Sequence, residues 1–399
     1  MAAMKDRLRD DLTAAMKARD EVRTRTLRMA LTSVSREEVA GSSARELTDQ
    51  EVIGVLTREA KRRREAAEAF AAAGRDEQAA AERAEGAVLD AYLPAQLTDE
   101  EVAAMAAAVG AGAAVYAGMV ERNWFTLRSY EVPVLAPGAA PLRVLHLSDV
   151  HLTPGRHRLM SWIRSLDTLD PHLVVNTGDS ISHKQAVQPF LAALGPLLER
   201  PGIFVYGSND LYSPIPKNPL FYLYESPDQA LRRHIPDLPW AELGEAMTAA
   251  GWLDVNNQRG RVKAGDLDIE VGGVHDSHIR RDRYDHIAGP TDPAADLRLG
   301  VMHSPEPRVM DRFAADGYDL LLAGHTHGGQ VCVPGVGALV TNCGIEPRRV
   351  RGLHRHPAQG EPDRPWLHVS GGLGTSPWTP FRFACRPEAS LLTLVPRIS

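Results

Sequence analysis

Five short apolar runs in this chain each stop abruptly at residues able to bind a metal ion. Leu142-Arg143-Val144-Leu145-His146-Leu147 runs into Ser148-Asp149-Val150-His151, and Leu173-Val174-Val175-Asn176-Thr177 into Gly178-Asp179. Ile203-Phe204-Val205-Tyr206 meets Gly207-Ser208-Asn209-Asp210, and Leu299-Gly300-Val301-Met302 meets His303-Ser304-Pro305. Leu320-Leu321-Leu322-Ala323 ends in Gly324-His325-Thr326-His327-Gly328-Gly329-Gln330. Apolar runs of this length bounded by glycine predict buried strands, and side chains projected from their carboxyl ends sit where open α/β sheets hold ligands. Mixed carboxylate, imidazole and amide oxygens suit divalent manganese, iron or zinc, and a central carboxylate can bridge two ions.

In this order the clusters resemble those of the calcineurin-like metallophosphoesterases, and the extended Gly324-to-Gln330 run resembles their YkuE-like branch. The resemblance covers residues 121 to 396, including Val369-Ser370-Gly371-Gly372-Leu373-Gly374, Arg382 and Pro387-Glu388. It implies an α/β fold, an α+β sandwich of four layers with two packed sheets flanked by helices. It also implies two divalent ions (Mn, Fe or Zn), one held by Asp149, His151 and His327, the other by Asn209, His303 and His325, with Asp179 bridging. Such a pair activates a hydroxide for hydrolysis of a phosphomonoester, phosphodiester or diphosphate, lipid-linked substrates among them. The catalytic set is then Asp179, Asn209 and Asp210.

The third cluster departs from the family's Gly-Asn-His-Asp. Here it reads Gly207-Ser208-Asn209-Asp210, so either Ser208 or Asn209 stands at the ligand position, and Asn209 is preferred because an amide oxygen is the better donor. The family's histidine is missing, and loss of a general acid costs about 10² to 10⁴ in rate. His183 and His275 are the candidates for replacing it or for binding substrate, against the simpler reading of both as loop histidines.

All fifteen histidines lie at or beyond position 146, so the first hundred residues differ in kind. They show helical spacing at Leu8, Leu12 and Met16 and at Leu27, Leu31 and Val34, with capping boxes at Thr48-Asp49-Gln50-Glu51 and Thr98-Asp99-Glu100-Glu101. Ala14 to Asp20, Thr26-Leu27-Arg28-Met29 and Tyr92 to Leu97 resemble the GatB/YqeY group, over residues 4 to 104, with the family's last small helical subdomain expected to be missing. That resemblance implies an all-helical module and a weak tRNA contact. The basic run Lys61-Arg62-Arg63-Arg64 is interleaved with Glu59, Glu65 and Glu68, which favours ion pairs on a solvated helix face over phosphate binding. A non-catalytic protein with a degenerate phosphoesterase site and a tRNA-associated module is the alternative function.

The net charge of −6 gives no general electrostatic reason to bind nucleic acid, and Cys332, Cys343 and Cys385 are too dispersed for a zinc ribbon or disulfide framework. Val102 to Val120 carries no charge over nineteen residues, rich in alanine and glycine. It meets the length of a membrane span at marginal hydrophobicity, so residues 105–120 read as a linker helix, a vestigial anchor or a weak span between a domain at 1–104 and another at 121–399. Without a signal-peptide pattern ahead of it, the expectation is a cytoplasmic enzyme able to associate with a membrane through 102–120, a fusion of two modules. Residues 211 to 243, rich in Pro, Tyr and Leu, are expected to form a lid or substrate wall.

Overall fold

The computed structural model describes residues 3–41, 43–94, 99–216, 235–357 and 364–397. The chain divides into two compact units, Met1–Ala108 and Val109–Ser399.

The first unit is helical: α1 (Ala3–Ala18), α2 (Glu21–Glu38), α3 (Asp49–Ala72) and α4 (Asp76–Asp90), followed by α5 (Asp99–Val115), which runs across the boundary. Leu8, Leu27, Val34, Val52, Leu56 and Leu89 form its core, while Met16, on the expected apolar stripe, is exposed. The capping box at α3 forms as read: Thr48 N donates to Glu51 Oε2 at 2.9 Å and Glu51 N to Thr48 Oγ1 at 3.4 Å. Arg45 and the Thr48 donors hold the Glu51 carboxyl at about 2. Thr98, the cap residue of the second box, lies outside the described residues. The basic run is ion-paired: Lys61 with Glu65 at 3.7 Å, Arg62 with Glu59 at 3.9 Å, and Arg63 reaching α4 at Glu82 (2.9 Å) and Glu85 (3.1 Å).

The second unit is built on two six-stranded sheets. One has the order β1-β14-β2-β3-β4-β5, from Thr126–Leu135, Glu388–Pro396, Leu142–Leu147, Leu173–Asn176, Gly202–Phe204 and Leu253–Asp254. The other has the order β12-β13-β9-β8-β7-β6, from Gly352–Arg355, Trp366–Val369, Leu320–Ala323, Leu297–Val301, Leu267–Gly273 and Gln258–Ala264. A hairpin, β10 (Cys332–Val333) with β11 (Gly337–Ala338), stands apart from both. Strands β2, β3 and β4 are parallel neighbours, as are β7, β8, β9 and β13. Parallel strands are apolar on both faces because both faces are covered. Val144, Val175 and Ile203 meet Val271, Leu299 and Leu322 between the sheets.

Helices α6 (His157–Ser165), α7 (Val187–Leu194) and, beyond the one-turn α8 (Ser208–Leu211), α9 (Trp240–Ala249) cover the outer face of the first sheet around Phe190 and Trp252. Helix α10 (Pro307–Ala315) covers the second sheet around Phe313. The result is the expected four-layer sandwich. Of the 211–243 stretch, most lies outside the described residues; Tyr212 is tied to Arg281 by a 2.9 Å hydrogen bond, and Trp240 meets the Tyr206 ring edge-on at 5.6 Å.

Gly202 in β4 has no room for a side chain, because a Cβ there would lie 2.2 Å from the fully buried Trp252 ring. Gly202→Ala is therefore expected to destabilise the second unit by about 1–3 kcal/mol, read as a lower denaturation midpoint. An unchanged midpoint would show that the indole can move aside freely.

Candidate metal centre

Strands β2, β3 and β4 of one sheet and β8 and β9 of the other end at the same edge of the sandwich, so their terminal loops face one another. The loops are laced together through backbone: Asp149 N donates to Gly178 O and His151 N to Asp179 O, both at 2.9 Å, and Gly324 N donates to His303 O at 2.8 Å. Asp149 (φ 51°), His151 (44°), Asp179 (52°), His325 (69°) and His327 (50°) all occupy the left-handed region. Non-glycine residues adopt it at a cost of roughly 1–3 kcal/mol each, and such strain clusters where function fixes a side chain's direction.

The turns bring the donor atoms together. His151 Nε2 lies 3.1 Å from His327 Nε2, which is 3.6 Å from Asp149 Oδ1. His303 Nε2 is 3.2 Å from His325 Nδ1. Asp179 Oδ2 sits between the two histidine pairs, 3.4 Å from His151 Nε2 and 3.5 Å from His303 Nε2. Two groups have ligand atoms within 4.8 Å of one another: Asp149, His151 and His327, and Asp149, Asp179 and His303. Asp149 thus belongs to both groups, while the separate distances put Asp179 Oδ2 next to a histidine of each pair, so both carboxylates are placed to be shared.

Buried, closely spaced nitrogens and carboxylates without a cation would repel or stay unpaired, and His325 Nε2 is buried with no hydrogen-bond partner among the described residues. That donor set fits borderline divalent ions. The remaining ring atoms are held from behind. His303 Nδ1 donates to Thr177 O at 2.7 Å, and His151 Nδ1 meets Ser182 Oγ at 2.9 Å, leaving Nε2 of each ring facing the centre. Arg382, fully buried, reaches His327 Nδ1 at 3.2 Å and the carbonyls of Gly372 and Gly374 at 3.0 and 2.9 Å. A hydroxyl chain backs Asp149: His146 Nε2 meets Thr177 Oγ1 at 2.9 Å, which donates to Ser148 Oγ at 2.7 Å, which donates to Asp149 Oδ2 at 2.6 Å. Glycine is required against Asp179, since a Cβ at Gly207 would lie 2.1 Å from Asp179 Oδ1 and 2.7 Å from His303 Cε1.

The protons follow the charges. Burial opposes ionisation of Asp179, but the charge and hydrogen bond of His303, with His151 and Asn209, outweigh it and hold the carboxyl well below its ordinary value. Burial pushes Asp149 up, and Asp179 adds to the push. Burial disfavours a charged His303, yet Asp179 and Asp276 raise it well above the usual imidazole value. His325 and His327 are driven well below theirs by burial first, then by His278 and His151 respectively.

Asn209 reaches the centre: its Nδ2 and its backbone N–H each donate to Asp179 at 2.7 Å, while Ser208 Oγ is 3.5 Å from that Nδ2. Asp210 bonds to the backbone of two loops. Its buried carboxylate accepts from the backbone N–H groups of Gly207 (2.9 Å), Asp179 (2.8 Å), Ser180 (2.7 Å) and Ile181 (3.2 Å), which ties the third loop to the second. Burial, with Asp179, pushes its carboxyl up to about 7. His183 lies on an exposed turn with Nδ1 accepting from Gln185 N at 3.1 Å. His275 packs against Tyr206, and burial lowers its pKa to about 3. Such a ring is neutral at pH 7 in the metal-free chain. Sequence reading passed over His278, whose ring lies 4.4 Å from that of His325 with Nδ1 3.9 Å from Glu306 Oε1, and Asn342, which donates to His325 O at 3.0 Å. The doublet His275-Asp276 stood three residues before His278, but no spacing rule selects the later ring.

Known proteins resemble both parts of the chain. The model of the Yqey-like protein family matches residues 5–119, beyond the expected end at 104, and that of the calcineurin-like phosphoesterases matches residues 142–329. Phosphodiesterase YaeI of Escherichia coli (strain K12) is 28% identical over 288 residues, which cover 70% of this chain and 92% of that protein. The uncharacterized metallophosphoesterase YkuE of Bacillus subtilis (strain 168) is 24% identical, covering 69% and 86%. UDP-2,3-diacylglucosamine pyrophosphatase LpxG of Chlamydia trachomatis is 26% identical, covering 70% and 92%. The chain thus carries a YqeY-like domain in its amino-terminal part and a calcineurin-like metallophosphoesterase domain in its carboxyl-terminal part. It is a hydrolase of the metal-dependent phosphoesterase class.

Because His303 is held protonated by its carboxylate neighbours and a metal ligand must be neutral, loading the apoprotein near pH 7 with Mn²⁺ is expected to release a proton. Calorimetry in buffers of different ionisation enthalpy measures it. Heats independent of the buffer would contradict the assignment.

Proposed function

We propose that the carboxyl-terminal domain is a dinuclear hydrolase of phosphomonoesters, phosphodiesters or diphosphates. The observation that carries this is the position of Asp179 Oδ2, 3.4 and 3.5 Å from nitrogens of two separate histidine pairs. In this reading Asp149, His151 and His327 hold one divalent ion, Asn209, His303 and His325 the other, and Asp179 is common to both. Bound there, the two cations would supply Lewis acidity toward phosphoryl oxygens and a nucleophile derived from water at neutral pH.

The protein's own contribution is to fix direction and charge. Ser182, Thr177 and Arg382 orient the three rings they touch, and Asp210 acts as a positioning residue through the backbone of residues 179–181. Asn209 rigidifies Asp179 by two hydrogen bonds and supplies the amide oxygen of the third cluster. His183 and His275 remain the proposed substrate-binding pair, His275 as a neutral hydrogen-bonding ring. For substrate, the relatives named as a phosphodiesterase and as a pyrophosphatase of a diacylated sugar nucleotide support a phosphodiester or diphosphate, with a lipid-linked compound favoured. We further take residues 1–104 as the helical module, 105–120 as the connection and 121–399 as the catalytic domain, with the enzyme cytoplasmic and membrane-associated.

Purified protein is expected to bind two divalent ions per chain and to turn over a generic aryl phosphodiester, with Asp179→Asn lowering kcat at least about 10³-fold. His325→Ala with His327→Ala should remove metal from a chain that stays folded by circular dichroism. Full activity of the Asp179→Asn chain would overturn the shared-carboxylate reading.

A further inference from the structure

Glu100–Asn123 forms a helix of 24 residues containing an 18-residue stretch of mean hydropathy 1.7, 6% of which is buried. Val102 to Val120 is uncharged on every face, whereas a surface helix of a globular protein is apolar on one stripe and a helix apolar all round belongs in a core or a bilayer. Among the described residues almost nothing covers it. At about 1.5 Å per residue it is roughly 36 Å long, against a hydrocarbon layer of about 30 Å.

Its carboxyl end is joined to the metal centre by a short path. Arg382 N donates to Ala117 O at 3.1 Å, and the same residue's guanidinium reaches His327. Glu121, buried, accepts from Cys385 N at 2.6 Å and Ala384 N at 3.0 Å. Tyr116 meets Phe383 edge-on at 6.3 Å, and Phe383 bridges to Val331 at the base of the β10–β11 hairpin. Gln330, three residues after His327, anchors the intervening segment by donating to Thr379 O at 2.9 Å and Phe381 O at 3.2 Å.

Several large apolar residues along this path are exposed. Met119 is 70% exposed, Trp378 55%, Val336 71% and Leu339 64%. Exposed apolar residues scattered singly need no explanation, but these lie on segments that hydrogen bonds and ring contacts tie to the end of an apolar helix. Trp124, with the Arg386 guanidinium 4.0 Å over its ring, lies just past the helix end, and a cavity of about 460 Å³ between Trp124, Phe125, Trp162 and Arg158 opens beside it. Aromatic rings paired with arginine are the side chains that settle at head-group level.

We propose that the exposed apolar residues from Met119 through Trp378 to the Val331–Leu339 hairpin are a bilayer-docking surface, which holds the His327 side of the metal centre near the lipid interface so that the phosphate of an amphiphilic ester enters along the membrane plane. The docking surface stands on exposure and connectivity alone; the entry of an ester rests on the hydrolase reading above.

The test is a nitroxide on Val336→Cys in the full chain, reconstituted in vesicles of phosphatidylethanolamine and phosphatidylglycerol, with the unsubstituted chain as the labelling background. Relaxation by oxygen dissolved in the lipid, without relaxation by a water-soluble nickel chelate, is the expected result. Access to the chelate overturns the proposal, and so does protection from both agents, as a second copy or another protein would give. In the same vesicles Val333→Asp with Val336→Asp should lower the ratio of lipid-ester to soluble aryl-diester turnover roughly ten-fold, and an unchanged ratio counts against docking. Lipid contact at Val336 in a chain that cleaves neither ester would uphold the surface and sink the hydrolase reading alone.

Discussion

Two aspartates buried at one edge of the sandwich, Asp149 and Asp179, impose most of what surrounds them. An ionised carboxylate removed from water needs compensating charge and hydrogen bonds, and an unpaired one costs several kcal/mol. Here the compensation is four imidazoles, backbone N–H groups and hydroxyls: His325 N donates to Asp149 at 2.9 Å, Ser148 Oγ at 2.6 Å, and Asn209 twice to Asp179. His303 carries a proton under these conditions because Asp179 and Asp276 hold it there. Divalent cations would replace that proton and satisfy the remaining nitrogens, which is why the same cluster reads as a metal centre.

The scaffold explains how such a cluster survives. Parallel strands from two sheets end at a common edge, so ligands from distant parts of the chain meet without long loops, and left-handed turns at five of the seven proposed ligands aim the side chains inward. The strain is offset by the core beneath, where Val144, Val175, Leu299 and Leu322 are fully or almost fully buried. Behind the site, the buried pair His146 and His368, whose Nδ1 atoms lie 2.9 Å apart, is kept uncharged by burial. Because Thr177 donates onward to Ser148, it accepts from His146, so every donor in that chain points toward Asp149.

Much of this was readable in the sequence because a strand in a covered parallel sheet is a short apolar run, and its ligand follows within a few residues. The helical front end came from the same kind of local pattern, and the four layers from resemblance to a known family. What could not be read was whatever depends on long-range contact. His278 reaches His325 through the fold, Arg382 meets His327 across fifty-five positions, and Asp210 turned out to spend its carboxylate on backbone amides of another loop. Burial likewise decided the state of His275, which no local pattern reports. The uncharged stretch at 102–120 was legible as a linker helix, an anchor or a weak span; its exposure, and that of the apolar residues near its carboxyl end, depend on the fold.

The shared carboxylate is the point on which the account turns, and electron paramagnetic resonance of the Mn²⁺-loaded protein tests it most directly. Two ions bridged by Asp179 should give an exchange-coupled spectrum at two equivalents of manganese per chain, replaced by isolated-ion signals in Asp179→Asn. Isolated-ion signals from the unsubstituted chain, saturating at a single equivalent, would contradict the dinuclear centre.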